Sequence, residues 1–322
     1  MKQLPLASLL TFLLLLLPGC SSAKGTPVPP ALQITPPANM SVVEGKLRNQ
    51  ISRLEKDMPR ANSEGFVIPT DEQKQAFFAI VSSLGSGKLE EALSASAANG
   101  YELLWYTDQN DNNAVDYVLR EIDPAKNGWG LYIFRAGATS NVIIEAPHPI
   151  YDEGTPDLAA DVFRALDARA LLVAGAHRDA NRDGSADVSD QPQTIFQAVH
   201  EAEIEQSMMA TGSAIVLQIH GFRSSKHPAY PQVIISYEHG NDTNPIELVE
   251  GQQLAGKIVN ALNANGVKAG LCNGKTWRDL CGSTNIQAVL MTRGVFIHIE
   301  LDETIRAKDK KFIEALISAL AN

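Results

Sequence analysis

The chain of 322 residues is short of cysteine, of basic clusters and of long apolar runs. It has only 3 cysteines, and the stretch between Cys272 and Cys281, "CNGKTWRDLC", has no histidine and no second cysteine pair, so a zinc ribbon would lack ligands. Positive charge is in deficit: 27 Lys and Arg stand against 37 Asp and Glu, a net charge of −10. With no basic patch to offset that balance, attraction to nucleic acid or to anionic lipid is disfavoured. The apolar run from Leu9 to Leu17 is too short to cross a bilayer as a stable helix, but with Lys2 ahead of it it has the size of a signal-peptide core.

That run ends in Leu17-Pro18-Gly19-Cys20, which resembles a bacterial lipobox. The resemblance implies cleavage before Cys20, a diacylglycerol on its sulfur and, with Ser21 next in place of Asp, sorting to an outer membrane or cell surface. Residues 1–19 are therefore expected to be a lipoprotein signal peptide, an ordinary secretory signal being the alternative. Residues 20–45, which include "KGTPVPPALQITPPANMSVVEG", are rich in proline and poor in aromatics, as a flexible tether would be. Once Cys20 is lipidated, Cys272 and Cys281 remain, and in an oxidising compartment they are expected to close a small disulfide loop.

Residues 46–100 carry helix-like spacing in "KLRNQISRLEKDM", "DEQKQAFFAIVSSL" and "KLEEALSASAA", and read as an N-terminal helical extension. Beyond Gly100 the pattern turns to short strands ("YELLWYTD", "AVDYVLREI", "GWGLYIFRA", "NVIIEAP") and then to strands alternating with amphipathic helices. Continuous apolar strands between such helices predict an α/β domain over 101–322, a three-layer sandwich with a mixed, largely parallel central sheet. In such sheets ligands sit at the carboxyl ends of the strands.

Three of these strands end in residues of metal-site type: "NVIIEAPH" at His148, "AIVLQIH" at His220 and "VFIHIE" at Glu300. In a strand, alternate residues share a face, so His298 and Glu300 point one way and Ile297, Ile299 and Leu301 the other. A hydrolytic zinc wants three protein ligands, commonly two His and a carboxylate, and a separate carboxylate to take the proton of the attacking water. A single histidine at a strand end is more often structural. Two of the 7, one of them followed by acids four and five residues on, tilt the balance toward a metal.

Here the sequence resembles the zinc amidohydrolases of the carboxypeptidase-like superfamily: zinc carboxypeptidases, N-formylglutamate amidohydrolases and phage-type poly-γ-glutamate hydrolases. The resemblance covers roughly residues 130–306 at motif level. It implies a phosphorylase/hydrolase-like fold and a bound zinc, with His148 as first ligand, His220 in "QIHGF" as second, and Glu300 in "HIELDETIR" as general base. "DEGT" resembles the family's E-x-G-T, which makes Asp152 the acid ligand and Glu153 the alternate; an Asp where relatives carry Glu is one methylene shorter.

Arg178 in "AGAHRDAN" and Arg223, three residues beyond His220, are candidates to hold a substrate carboxylate by paired hydrogen bonds, with His177 beside them. The overlapping "DANRDGSADVSD" sets Asp179, Asn181, Asp183, Gly184, Asp187 and Asp190 at the spacing of a calcium loop, although the last place is Asp and no helix precedes it. The sequence therefore predicts an exported, lipid-anchored zinc hydrolase of the bacterial cell envelope, cleaving an amide or peptide bond in a peptide or N-acyl amino-acid substrate with a free carboxylate, with calcium as a second ion. The alternatives are a calcium-ordered binding lipoprotein without catalysis and a cell-wall amidase.

Overall fold

The computed structural model describes residues 35–238, 245–272, 275–308 and 310–321; the expected signal peptide, Cys20 and the tether up to residue 34 lie outside them. The compact body is Pro36–Asn322. Its strands are β1 (Ser41–Gly45), β2 (Tyr101–Asp108), β3 (Ala114–Glu121), β4 (Leu131–Arg135), β5 (Val142–Ala146), β6 (Ala170–Val173), β7 (Ile215–Gly221), β8 (Val233–Glu238), β9 (Ala269–Leu271) and β10 (Val295–Leu301). The helices are α1 (Leu47–Asp57), α2 (Asp71–Gly85), α3 (Leu89–Ala98), α4 (Pro124–Asn127), α5 (Thr155–Ala165), α6 (Ile195–Thr211), α7 (Pro245–Ala264), α8 (Ile286–Leu290), α9 (Glu303–Ala307) and α10 (Lys310–Leu320).

The strands form one mixed sheet in the order β1-β2-β3-β4-β6-β5-β7-β10-β8-β9. At its centre β6, β5, β7 and β10 run parallel, flanked by antiparallel β4 and β8. Residue parity sorts the core into two clusters, one on each face. Ile144, Leu217, Ile219, Ile297, Ile299 and Leu301 pack with α1, α5, α7 and α10. Ile143, Leu172, Val216 and Phe296 pack with Phe77 and Ile80 of α2 and Phe196 and Val199 of α6. Each fully buried aliphatic contributes about 1.5–3 kcal/mol, so burying both faces explains why these strands lack polar alternation. The α/β sandwich expected from the pattern is the fold observed.

Two boundaries differ from the expectation. Ser41–Gly45, placed at the end of the tether, instead pairs with β2 in parallel register, and Met40 just before it is buried. The helices of 46–100 are not an appendage: α1 lies against one core cluster while α2 and α3 lie against the other. Helical periodicity reveals an apolar stripe but not which face of the sheet receives it.

Polar exceptions to the apolar strands fall on one face. Glu145, Gln218, His220, His298 and Glu300 all have the parity of the α6 side, and all are buried. Register places Glu300 opposite His220 and His298 opposite Gln218.

Candidate metal centre

His148 follows β5 in the bend that leads to α5, and its carbonyl accepts the backbone N–H of Asp152, curling the segment so that both side chains face the sheet's carboxyl end. Gly154 continues the curl with φ of +87°, a left-handed conformation that favours glycine, before Thr155-Pro156 opens α5. His220 arrives from the end of β7 and Glu300 from the end of β10.

The donor atoms converge. His148 Nδ1 lies 3.2 Å from Asp152 Oδ2 and 3.2 Å from His220 Nδ1, and His220 Nδ1 lies 3.5 Å from Asp152 Oδ2. Tetrahedral zinc with bonds of about 2.0–2.1 Å sets its ligand atoms about 3.3 Å apart. The other nitrogen of each ring is already engaged: His148 Nε2 meets Asp187 Oδ1 at 2.9 Å and Ser189 Oγ at 3.1 Å, and His220 Nε2 meets Gln218 Oε1 at 2.7 Å. Asp187 and Gln218 Oε1 are acceptors, so each ring keeps a proton on Nε2, and Nδ1 is the nitrogen that a ligating ring would turn bare toward the other. Two imidazole nitrogens and a carboxylate oxygen held this close in a buried site call for a positive charge, which either a proton on His148 or a bound cation supplies. The donor set, two imidazoles and a carboxylate, suits zinc. Among the described residues, His220, His298 and Glu300 form a second group within 4.8 Å that shares His220.

Electrostatics without an ion show the same stress. Burial opposes charging of His148, yet Asp152 and Asp187 hold its pKa up at about 9. Burial acts to raise the carboxyls of Asp152 and Asp187, but hydrogen bonds and charge from the histidines bring both below the usual carboxylate range. Burial, with the charge of His148, depresses His220, and burial depresses His298 further. Glu300 is pushed well above the ordinary carboxylate value, by burial first and then by the charge of Asp152. Its Oε2 is buried with no hydrogen-bond partner among the described residues. A cation at the donor triangle would hold His148 neutral and favour the ionised form of Glu300.

The cleft above these groups, about 250 Å³, is lined by His148, Arg178, His220, Arg278, His298 and Glu300 among others. Arg178 is among them, and its guanidinium pairs with Asp187 and lies 5.2 Å from the Tyr151 ring. Arg223 is exposed and does not line the cleft. His177 stays outside the lining too, its Nδ1 accepting Asp179 N at 3.0 Å and its ring 5.5 Å from Tyr151. Glu153 is exposed, so the carboxylate brought to the histidines is that of Asp152.

The calcium loop is not formed. Asn181 spends its side chain on Phe66 and Ser185, Asp183 Oδ1 accepts from Ser185, and Asp179 and Asp190 are exposed. Asp187 turns away from them toward His148, Ser189 and Arg178. The right residues at the right spacing fail because their oxygens are committed elsewhere, and among the described residues 179–190 hold no cluster of acids able to share an ion.

Arg278 was not foreseen. It comes from the loop closed by the Cys272–Cys281 disulfide, whose Cα atoms are 5.8 Å apart. That loop is braced: Tyr230 Oη donates to Asp279 Oδ1 at 2.6 Å, Ser236 Oγ donates to the Cys281 carbonyl at 2.6 Å, and a Cβ on Gly282 would come within 2.6 Å of the His298 ring. Only the cysteine spacing hinted at this wall.

No family model matches the chain, and no curated protein sequence matches it. Solved structures similar to it include a bacteriophage poly-gamma-glutamate hydrolase, with 13% identity over 57% of this chain and 84% of that one and a TM-score of 0.36. An N-formylglutamate amidohydrolase from Ralstonia eutropha JMP134 has 11% identity over 59% of this chain and 96% of its own, with a TM-score of 0.36. A metallo-carboxypeptidase from Burkholderia cenocepacia has 11% identity over 80% of this chain and 69% of its own, with a TM-score of 0.35.

Proposed function

We propose that the protein is a zinc-dependent hydrolase of an amide or peptide bond, exported to a bacterial cell envelope and anchored there by lipid on Cys20. The observation that carries the reading is the triangle of His148 Nδ1, Asp152 Oδ2 and His220 Nδ1, each imidazole fixed in the tautomer that ligation requires. Zinc bound there supplies Lewis acidity, polarising a carbonyl and lowering the pKa of a water. The chain's own residues do the rest. Glu300 faces His220 from the neighbouring strand and offers a buried carboxylate with one free oxygen, suited to take a proton and pass it to the leaving amine. His298, beneath it with its ring 4.4 Å from that of His220, keeps the floor polar and excludes bulk water. Arg278, for which no protein partner is seen among the described residues, gives the rim a positive charge for a substrate carboxylate.

A binding module without catalysis has no use for Glu300, because a buried carboxylate oxygen without a partner costs stability. The Cys272–Cys281 disulfide supports an oxidising compartment. Metal analysis of the purified protein beside His148→Ala and His220→Ala is the test: both variants lose zinc, while Glu300→Gln keeps zinc and loses turnover about 10²- to 10⁴-fold. Undiminished metal in both histidine variants overturns the centre, and full activity in Glu300→Gln overturns the role of that carboxylate.

A further inference from the structure

Beneath the cleft floor lies a hydrogen-bonded chain whose inner members do not line the cleft. Its pivot is Gln218. A primary amide offers two donors and two lone pairs, and here all four are used. Oε1 accepts from His220 Nε2 at 2.7 Å and from Asn285 Nδ2. Nε2 donates to Glu145 Oε2 at 2.8 Å and to Gln287 Oε1 at 3.2 Å.

Each end of that amide is locked independently. On one side Glu145, fully buried in β5, accepts on both oxygens: from Gln218, and from His200 Nδ1 of α6 at 2.7 Å. Only the NH₂ end of Gln218 can face it. On the other side Asn285 caps α8, its Oδ1 taken by the backbone N–H groups of Gln287 at 3.1 Å and Ala288 at 3.3 Å. That leaves Asn285 only its NH₂ to turn on Gln218, which must answer with a carbonyl. Gln287 adds direction, since its own Nε2 is spent on the Val188 carbonyl at 2.8 Å and on Gln197 Oε1 at 3.0 Å. A flip of the Gln218 amide would set donor against donor at Asn285 and acceptor against acceptor at Glu145, leaving buried polar groups unpaired at both ends.

We propose that Gln218, clamped between Glu145 and Asn285, is the positioning residue that fixes the tautomer of His220. Its Oε1 holds the proton on His220 Nε2 and so leaves Nδ1 bare toward His148 and Asp152. The inference rests on the metal-centre reading above and extends it to Gln218 and Glu145, which do not line the cleft. Loss of such an orienting partner weakens metal affinity about 10- to 100-fold.

The test measures zinc affinity by chelator competition on the full-length protein, together with ¹⁵N NMR of the imidazoles. Gln218→Met removes the acceptor; zinc affinity falls about 10- to 100-fold and His220 in the metal-free protein shows mixed tautomers instead of the Nε2–H form alone. The exchange variant, Glu145→Gln combined with Gln218→Glu, keeps an acceptor against His220 and Asn285, a donor–acceptor pair between 145 and 218, and an acceptor for His200, and gives up the longer bond to Gln287 Oε1 alone. Affinity returns to within about threefold of wild type, which a role limited to packing would not give. Wild-type zinc affinity and an unmixed Nε2–H tautomer in Gln218→Met overturn the proposal. So does an exchange variant that folds but binds as weakly as a variant with no acceptor, which keeps the test decisive should Gln218→Met fail to fold. A wild-type protein that takes up no zinc at His148 and His220 overturns the metal centre itself, a distinct result.

Discussion

Replacing Asp187 by Asn separates the contact with His148 seen for this residue from the calcium role its spacing suggests. Asp187 Oδ1 accepts from His148 Nε2 at 2.9 Å, Ser189 Oγ at 2.9 Å and Ser189 N at 3.2 Å, while Oδ2 pairs with Arg178. Asn supplies one acceptor where two are used, and the end facing three donors keeps the oxygen, so the NH₂ group falls against Arg178. The Arg178 side chain is 29% exposed and can swing to water, which limits that loss to about 1 kcal/mol or less. The larger effect is on His148: a neutral acceptor no longer strengthens the ring as a ligand, and zinc affinity drops about 10- to 100-fold, equivalent to about 1.4–2.7 kcal/mol. Chelator competition reads the affinity and thermal melting reads stability. Zinc affinity falls, Tm of the metal-free protein falls as well because the buried pair between His148 and Asp187 loses its charge, and millimolar calcium shifts Tm of neither protein. Unchanged zinc affinity in Asp187→Asn, or a calcium-induced rise in Tm that the substitution removes, would refute the assignment.

Two further outcomes follow from other parts of the molecule. Opening the disulfide by Cys272→Ser with Cys281→Ser, in the purified protein, costs about 2–3 kcal/mol for a loop of this size and frees the strap that carries Arg278, so KM for a carboxylate-bearing substrate rises while kcat and zinc content hold; an unchanged KM removes Arg278 from substrate binding. Burial raises Glu121 from its ordinary 4.5 to about 8, although the N–H groups of Gly130 and Trp129 oppose it. The folded state therefore holds a proton that the unfolded chain releases, and the associated stability is full below about pH 4.5 and is lost as pH rises through about 8. The Tm of Glu121→Gln, which does not titrate, should gain on wild type between about pH 5 and about pH 9, and a constant gap across that range refutes the burial argument.

The sheet was legible because its central strands are buried on both faces and read as apolar runs. His148, His220 and Glu300 stood out because each interrupts or ends such a run. By the same logic Glu145 in "VIIEAP" and Gln218 in "IVLQIH" carried a signal, polar residues inside apolar strands with the parity of the site, but nothing local says whether such a residue binds a ligand or orients one that does. Arg278 was out of reach, since only the folded disulfide loop brings it over a cleft built from strands earlier in the chain. Asp187 was read wrongly because spacing shows which oxygens are near in sequence, whereas the fold had already committed them to His148, Ser189 and Arg178. Edge strands β1 and β9 are exposed or half-buried along their length, so neither presents the continuous apolar run that marked the central strands.

The two histidines that face each other at 3.2 Å are 72 residues apart in the chain, whereas His148 and Asp152 are only four apart. An unfolded chain therefore presents two of the three donor atoms at best, and the third arrives when β7 takes its place beside β5. Metal capture comes late, after the slow, non-local pairing of parallel strands has been completed. An ion that binds only this finished arrangement leaves the rate of folding unchanged and acts as a brake on the reverse reaction, so the supply of such an ion would govern how long each molecule survives more than whether it forms.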